Sequence, residues 1–195
     1  ISRRGIGSTE HELDLPHLAA CLALSKSANW KQNEADWRLM LGFGRGWGIT
    51  LEDGTLAAST LLLPYGQGFA WIAMVLVLPG HRRRGFATQL LKKALRENSQ
   101  AGRTSILDAT PAGQEVYRQE GFKGTWGFKR YQWTDPPRRG PAIIAGLRIR
   151  PIVEADWDAL LALDARAFGG SREPVLRDLA RRLPQVAMLA ESGGQ

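Results

Sequence analysis

Ten consecutive apolar residues, Phe69 to Leu78, constrain this chain more than any other stretch, and Pro79-Gly80 stops them abruptly. The short length and the β-branched and aromatic members predict a strand buried on both faces. A membrane-spanning helix needs about 20 such residues, so the run cannot cross a bilayer. Beyond the turn, Phe86, Leu90 and Ala94 recur at intervals of four, and Ala87, Leu91 and Leu95 repeat the interval one place later. That single wide stripe predicts a helix from Arg84 to Glu97, packed on the sheet with Gln89, Lys92, Lys93 and Arg96 outward.

Between strand and helix stands His81-Arg82-Arg83-Arg84-Gly85-Phe86-Ala87-Thr88. Amide groups that open a helix lack intrahelical acceptors and sit at the positive end of its dipole, so they suit an anion such as phosphate. Gly85 and the small Ala87 let a diphosphate approach the backbone, and the arginines neutralise charge at its margin. A run of arginines alone is ordinarily a solvated turn. Glycine and alanine at the helix start, directly after so apolar a strand, favour phosphate binding.

Val75-Leu76-Val77-Leu78-Pro79-Gly80-His81-Arg82-Arg83-Arg84-Gly85-Phe86-Ala87 resembles the acetyl-CoA signature of the GNAT acetyltransferase superfamily, V-x-P followed by R-x-x-G-x-G/A. The resemblance implies that main-chain groups of Val75, Leu76 and Val77 hold the pantetheine arm and acetyl carbonyl. It implies that Arg83, Arg84, Gly85, Phe86, Ala87 and Thr88 wrap the pyrophosphate, with Arg82 beside them. Ala87 stands where many members have glycine. The stretch Leu107 to Phe122, LDATPAGQEVYRQEGF, is similar to the second half of the same superfamily, including its Tyr-x-x-x-Gly-Phe ending. This places Tyr117 near the CoA sulfur, although the asparagine-containing loop usual before this helix is shortened. Together the resemblances cover most of residues 10 to 133. The implied fold is α/β (α+β), with a mixed, mostly antiparallel central sheet and helices on both faces.

With 195 residues, 44% of them hydrophobic, the chain can bury one full core and hold a fragment of another. Its net charge of +7, from 26 basic against 19 acidic residues, suits an anionic ligand such as CoA. Nucleic acid and membrane surfaces are disfavoured as partners, because the later basic groups, Arg138-Arg139, Arg148, Arg150 and Arg181-Arg182, are scattered like an ordinary solvated face. The single cysteine, Cys21, excludes an internal disulfide and points to a reducing, cytoplasmic setting. No signal peptide is visible, but the chain starts at Ile1 without methionine, so a lost leader or first strand stays open. Cys21 and the three histidines match no zinc spacing, and no metal is expected.

Along the chain, residues 1 to 10 suggest the remnant of a strand. A helix is expected from about Asp14, with Pro16 in its first turn, and a second from Asn33 to Leu41. By resemblance this pair overhangs the acceptor, which makes Trp30, Glu34 and Trp37 acceptor-contact candidates. Tryptophans beside a connection are otherwise ordinary core. Gly42 to Gly48, GFGRGWG, fails G-x-G-x-x-G in every register and is expected as a flexible loop. Asp53-Gly54, flanked by Trp47–Glu52 and Thr55–Pro64, signals a hairpin with a type I′ turn. Thr104 to Ala109 is expected as a strand, Thr110-Pro111 as a helix start, Gly121 as its end, and Phe122 to Trp133 as one or two closing strands. Pro136 to Pro141 has the composition of a linker. After it, a strand over 147–151, helices over 154–168 and 172–183, and a strand over 186–190 repeat the opening order. The expected domains are therefore 1–134, a GNAT acetyltransferase domain; 135–146, a linker; and 147–195, a partial second GNAT-like module, so that the chain is either truncated or has a tail that must dock on the first domain.

The resemblance implies attack of an amine, on a small molecule or a protein, on the acetyl-CoA thioester. Main-chain N–H groups near Leu76 and Val77 would stabilise the oxyanion. Tyr117 is the candidate acid for the departing thiolate; Asp108, Glu34 and His81 are candidate bases, Asp108 foremost. Each has a plainer alternative: a core tyrosine, a turn cap, a solvated helix residue and a loop histidine. Cys21 has no histidine partner, so covalent catalysis lacks support. A non-catalytic acyl-CoA-binding or structural module of a tandem protein is the alternative function, a nucleic-acid binder a third, and a homodimer an allowed assembly.

Overall fold

In a computed structural model that describes residues 7–129, 131, 134 and 145–192, the long apolar run forms strand β4 (Phe69–Val77) of a five-stranded sheet. The strand order is β1 (Ser8–Leu13), β2 (Arg45–Leu51), β3 (Leu56–Tyr65), β4, β5 (Thr104–Ile106). Neighbours up to β4 are antiparallel, and β5 joins β4 in parallel. Helices α1 (Leu18–Ser27) and α2 (Glu34–Phe43) cover one face, where Cys21, Leu24 and Trp37 pack with Leu61, Leu63, Met74 and Leu76. Helix α3 (Phe86–Gln100) covers the other, setting Leu90, Leu91 and Ala94 among Ile49, Ala58, Leu62 and Ile72. Each fully buried leucine stabilises by roughly 2 kcal/mol. Surface ion pairs such as Lys92–Glu120 and Lys93–Glu97 add at most about 1 kcal/mol each, so the apolar stripe decides how α3 lies.

Strand β3, not β4, is the one buried through both faces: Leu56 to Leu63 are all inside, whereas burial along β4 alternates. Strand β5 pairs only Thr104–Ile106 with Phe69–Trp71, three residues short of the expected end at Ala109, and among the described residues no strand pairs the outer side of the rest of β4. The expected glycine-rich loop is absorbed into regular structure: Phe43 ends α2, Gly44 is the connection, and Gly46 and Gly48 lie in β2. A Cβ on Gly46 would stand 2.4 Å from the Leu61 side chain and one on Gly48 2.6 Å from Leu56, so these glycines serve close packing. At the β2–β3 hairpin only Gly54 is left-handed (φ +82°). Its N–H donates to the Leu51 carbonyl at 2.9 Å and the Leu51 N–H to Thr55 at 2.9 Å, a type I turn with a glycine bulge in place of the expected type I′.

Helix α4 (Gln114–Gln119) starts later than Thr110-Pro111 suggests, because Gly113 and Gln114 first donate to the Thr110 carbonyl (2.9 and 3.1 Å) in a preceding turn. Its end follows the expectation. Gly121 is left-handed (φ +90°), its N–H bonds Arg118, the Phe122 N–H bonds Tyr117 at 3.0 Å, and the Phe122 and Tyr117 rings meet edge to face. The expected closing strands do not form over 122–129: Trp126 and Phe128 stand exposed, Gly124 and Gly127 weaken a strand, and three-residue β5 is a short edge to pair with. Residues 130, 132 and 133 of that stretch, and the linker Pro136 to Pro141, lie outside the described residues.

The C-terminal elements β6 (Leu147–Pro151), α5 (Trp157–Phe168), α6 (Glu173–Arg182) and β7 (Met188–Ser192) repeat the order β1-α1-α2-β2, and β6 pairs antiparallel with β7 as β1 does with β2. Arg150 ties this unit together, reaching Asp156 at 2.6 Å and Glu191 at 2.7 Å. The unit packs on the first one. Phe168 enters the rings of Tyr65, Phe69 and Trp71, and Arg182 pairs with Asp36 of α2 at 2.9 Å.

Candidate active site

A bulge midway along β4 shapes the site. Leu61 faces Ala73 and Ser59 faces Leu76, so β4 carries one residue more than β3 over this interval. The extra residue shows in the packing: Ala73 and Met74, consecutive in sequence, both lie with the α1–α2 cluster, whereas Ala70, Ile72, Val75 and Val77 lie with the α3 cluster. Met74 takes φ +51°, a region that favours glycine and costs a larger residue roughly 1–3 kcal/mol. The fully buried Ser59 hydroxyl donates to the Met74 carbonyl at 2.8 Å. Past the bulge the Leu78 N–H donates to Ala57 of β3 at 2.9 Å. Alternation along a strand then turns the N–H groups of Val75 and Val77 away from β3, into the opening that β5 leaves. Leu76, expected to share the oxyanion role, directs its own N–H towards β3. The Arg82 Nε at 3.4 Å from the Val77 carbonyl marks the same outer side.

The basic loop runs from the end of β4 into α3. Residues 79–81 form a single 3-10 turn, Arg83 and Gly85 are left-handed (φ +58° and +83°), and α3 begins only at Phe86, two residues after its expected start. Those two left-handed residues keep the helix from starting earlier. Among the described residues, no acceptor takes the N–H groups of Arg83 to Thr88, and the first bonded amide is that of Gln89, to Gly85 at 2.9 Å. A Cβ on Gly85 would meet nothing, so the conformation rather than crowding requires glycine there. Arg82, Arg83 and Arg84 are exposed, and Arg84 donates to the His81 Nδ1 at 2.9 Å with its guanidinium 5.0 Å from the Phe86 ring centre. The chain thus presents a fan of free amides at the N-terminus of a 15-residue helix, rimmed by arginines, where a diphosphate fits.

Tyr117 packs against the α3 cluster that includes Val75 and Val77, and burial pushes its hydroxyl above its ordinary value, so it stays protonated at neutral pH. Asp108 is exposed just beyond the end of β5 and makes no hydrogen bond or ion pair among the described residues. Glu34 pairs with Arg38 at 2.7 Å on the surface of α2. Trp30 is 38% exposed at the α1–α2 connection. Trp37 has no accessible surface: its Nε1 donates to the buried Ser25 hydroxyl at 2.8 Å, which makes it core. Burial pushes the Cys21 thiol up to about 12, too high for a nucleophile. Among the described residues no His, Cys, Asp and Glu cluster suits a metal ion, and no helix is long and apolar enough to cross a membrane. The pair Ser59–Met74 escaped sequence reasoning, and its one signal is the Ser59-Thr60 step inside an otherwise apolar strand.

A sequence model of the Acetyltransferase (GNAT) family matches residues 16–122, from α1 through the end of α4. The chain belongs to the GNAT acetyltransferase family. This GNAT chain is 32% identical over 193 residues to the mycothiol acetyltransferase of Kineococcus radiotolerans, covering 90% of itself and 63% of that relative. In structure it resembles an acetyltransferase-like protein of Pyrococcus horikoshii (TM-score 0.76, 18% identity), which matches 97% of this chain and is matched over 66% of its own length. It also resembles a Clostridium acetobutylicum protein crystallised with acetyl-CoA (TM-score 0.55, 15% identity, 65% and 96% coverage). At these identities the structural likeness concerns the fold. The chain spans less than two thirds of the Kineococcus and Pyrococcus proteins.

Proposed function

We propose that this GNAT chain binds acetyl-CoA and passes its acetyl group to an amine by direct attack. The observation that carries this is the row of acceptor-free amides from Arg83 to Thr88, lying beside the unpaired edge of β4. The amides and arginines would hold the pyrophosphate, and the Val75 and Val77 N–H groups would face the pantetheine arm and thioester. A neutral amine nitrogen forms the new C–N bond and gives up a proton to solvent, the thioester C–S bond breaks, and the thiolate takes a proton from Tyr117, which recovers one from solvent. The name of the Kineococcus relative makes a mycothiol-related amine the first acceptor to try. We take residues 1–134 as the acetyltransferase domain, 135–146 as a linker and 147–195 as a second unit of similar element order, acting in the cytoplasm.

Saturating acetyl-CoA should raise the melting temperature by several degrees, since ligand at 100 times Kd adds about 2.7 kcal/mol. No shift would overturn the proposal. A non-catalytic acyl-CoA-binding module is the alternative, favoured by the exposed, unpartnered Asp108 and by the Arg84 contact that occupies one nitrogen of His81. Thiol release with a panel of amines separates the two, because the module binds acetyl-CoA without turnover on any of them.

A further inference from the structure

We infer that Ser59 is a positioning residue for the thioester carbonyl, a role that rests on the acetyl-CoA proposal above. The serine lies on β3 and is fully buried, with no accessible surface through which a ligand could reach it. What it does is hold the bulge. A left-handed Met74 turns its carbonyl out of the regular ladder, and the Ser59 hydroxyl, 2.8 Å away, donates a hydrogen bond to that misdirected group. Left without this donor, a buried carbonyl and a non-glycine residue at φ +51° would both favour relaxing β4 towards regular pairing with β3.

Relaxation would have a definite consequence. The bulge shifts the alternation of β4 by one residue, which is why Val75 and Val77 rather than Leu76 and Leu78 direct their N–H groups into the opening. With the extra residue removed from the count, the amides aimed at the opening would belong to the wrong residues. Ser59 therefore sets which main-chain donors meet the developing oxyanion, from the opposite side of the strand.

The test uses acetyl-CoA labelled with 13C at the acetyl carbonyl, bound to the full chain and read by NMR. Wild-type protein should move the carbonyl resonance downfield of free acetyl-CoA. Ser59→Ala should lose at least half of that displacement while its affinity for CoA, gripped at the arginine loop, stays within about threefold. Ser59→Cys, a weaker donor of similar shape, should fall between the two and carries the comparison if the alanine variant does not fold. Ser25→Ala loses an equally buried hydroxyl, the partner of Trp37, and should keep the full displacement. A full displacement in Ser59→Ala, or an equal loss in Ser25→Ala, overturns the role of Ser59 alone. Failure of wild-type protein to bind acetyl-CoA overturns the functional proposal and this one with it.

Discussion

The ring of Phe168 lies parallel to that of Trp71, with 6.3 Å between centroids and 10° between planes. Trp71 is the last residue of β4 paired with β5, so the end of α5 reaches the fork at which the two strands part. Tyr65 meets the same phenyl ring edge-on at 5.1 Å. Replacing Phe168 with Ala should cost roughly 2 kcal/mol, below the range for a full core phenylalanine because the ring is half-buried. The expected readout is a lower melting temperature with faster proteolysis of the C-terminal unit, and equal protease resistance would show that this stack does not hold the unit in place.

Charge reversal at the loop tests the phosphate cradle. Arg84→Glu should weaken acetyl-CoA binding at least tenfold, since a hydrogen bond to a charged group is worth about 1.5–3 kcal/mol. Arg148→Glu makes the same change in net charge on exposed β6, away from the loop, and should leave the affinity unaltered. Calorimetric titration of both variants distinguishes a specific cradle from a general pull on anions.

Tyr117→Phe removes the proposed acid while keeping the ring that packs on Phe122. The acetyl-CoA affinity should persist and kcat should fall by about 100-fold or more. Burial raises the hydroxyl above its ordinary 10.0, and the acid form is lost only as pH rises through that higher value. Any alkaline fall in the wild-type rate that is due to this group should therefore have its midpoint above pH 10, and a midpoint below that, absent from the phenylalanine variant, would contradict the raised value.

Arg150 holds the Asp156 carboxyl well below its usual range, at about 2, chiefly through their hydrogen bonds, with the Val153 N–H adding to the effect. A carboxylate lowered on folding contributes stability above its unfolded value of 3.8, and that contribution is lost as pH falls through the folded value. The C-terminal unit should therefore loosen between about pH 4 and pH 2. Fluorescence of Trp157, packed under Arg177, reports it. Asp156→Asn should show the loosened signal already at pH 6.

Much of this architecture was legible along the chain. The apolar run, the arginine loop and the four-residue stripe of α3 are local patterns whose chemistry acts within a few residues, so β4, its loop and α3 follow directly, and Gly121 ends α4 by its own backbone freedom. Other features depended on distant neighbours. Gly46 and Gly48 read as a loop until Leu61 and Leu56 close over them, and Trp37 reads as either acceptor contact or core until Ser25 takes its indole.

Sequence by itself determined the element order through α4, the two apolar faces and the anion-ready helix start, because hydrophobic period and backbone freedom are properties of adjacent residues. Only tertiary structure decided where β5 stops and which amides of β4 face the opening. Both depend on pairing: Trp71 is the last partner that β5 finds, and Ser59, fifteen positions before Met74, supplies the bond that keeps the bulge in place.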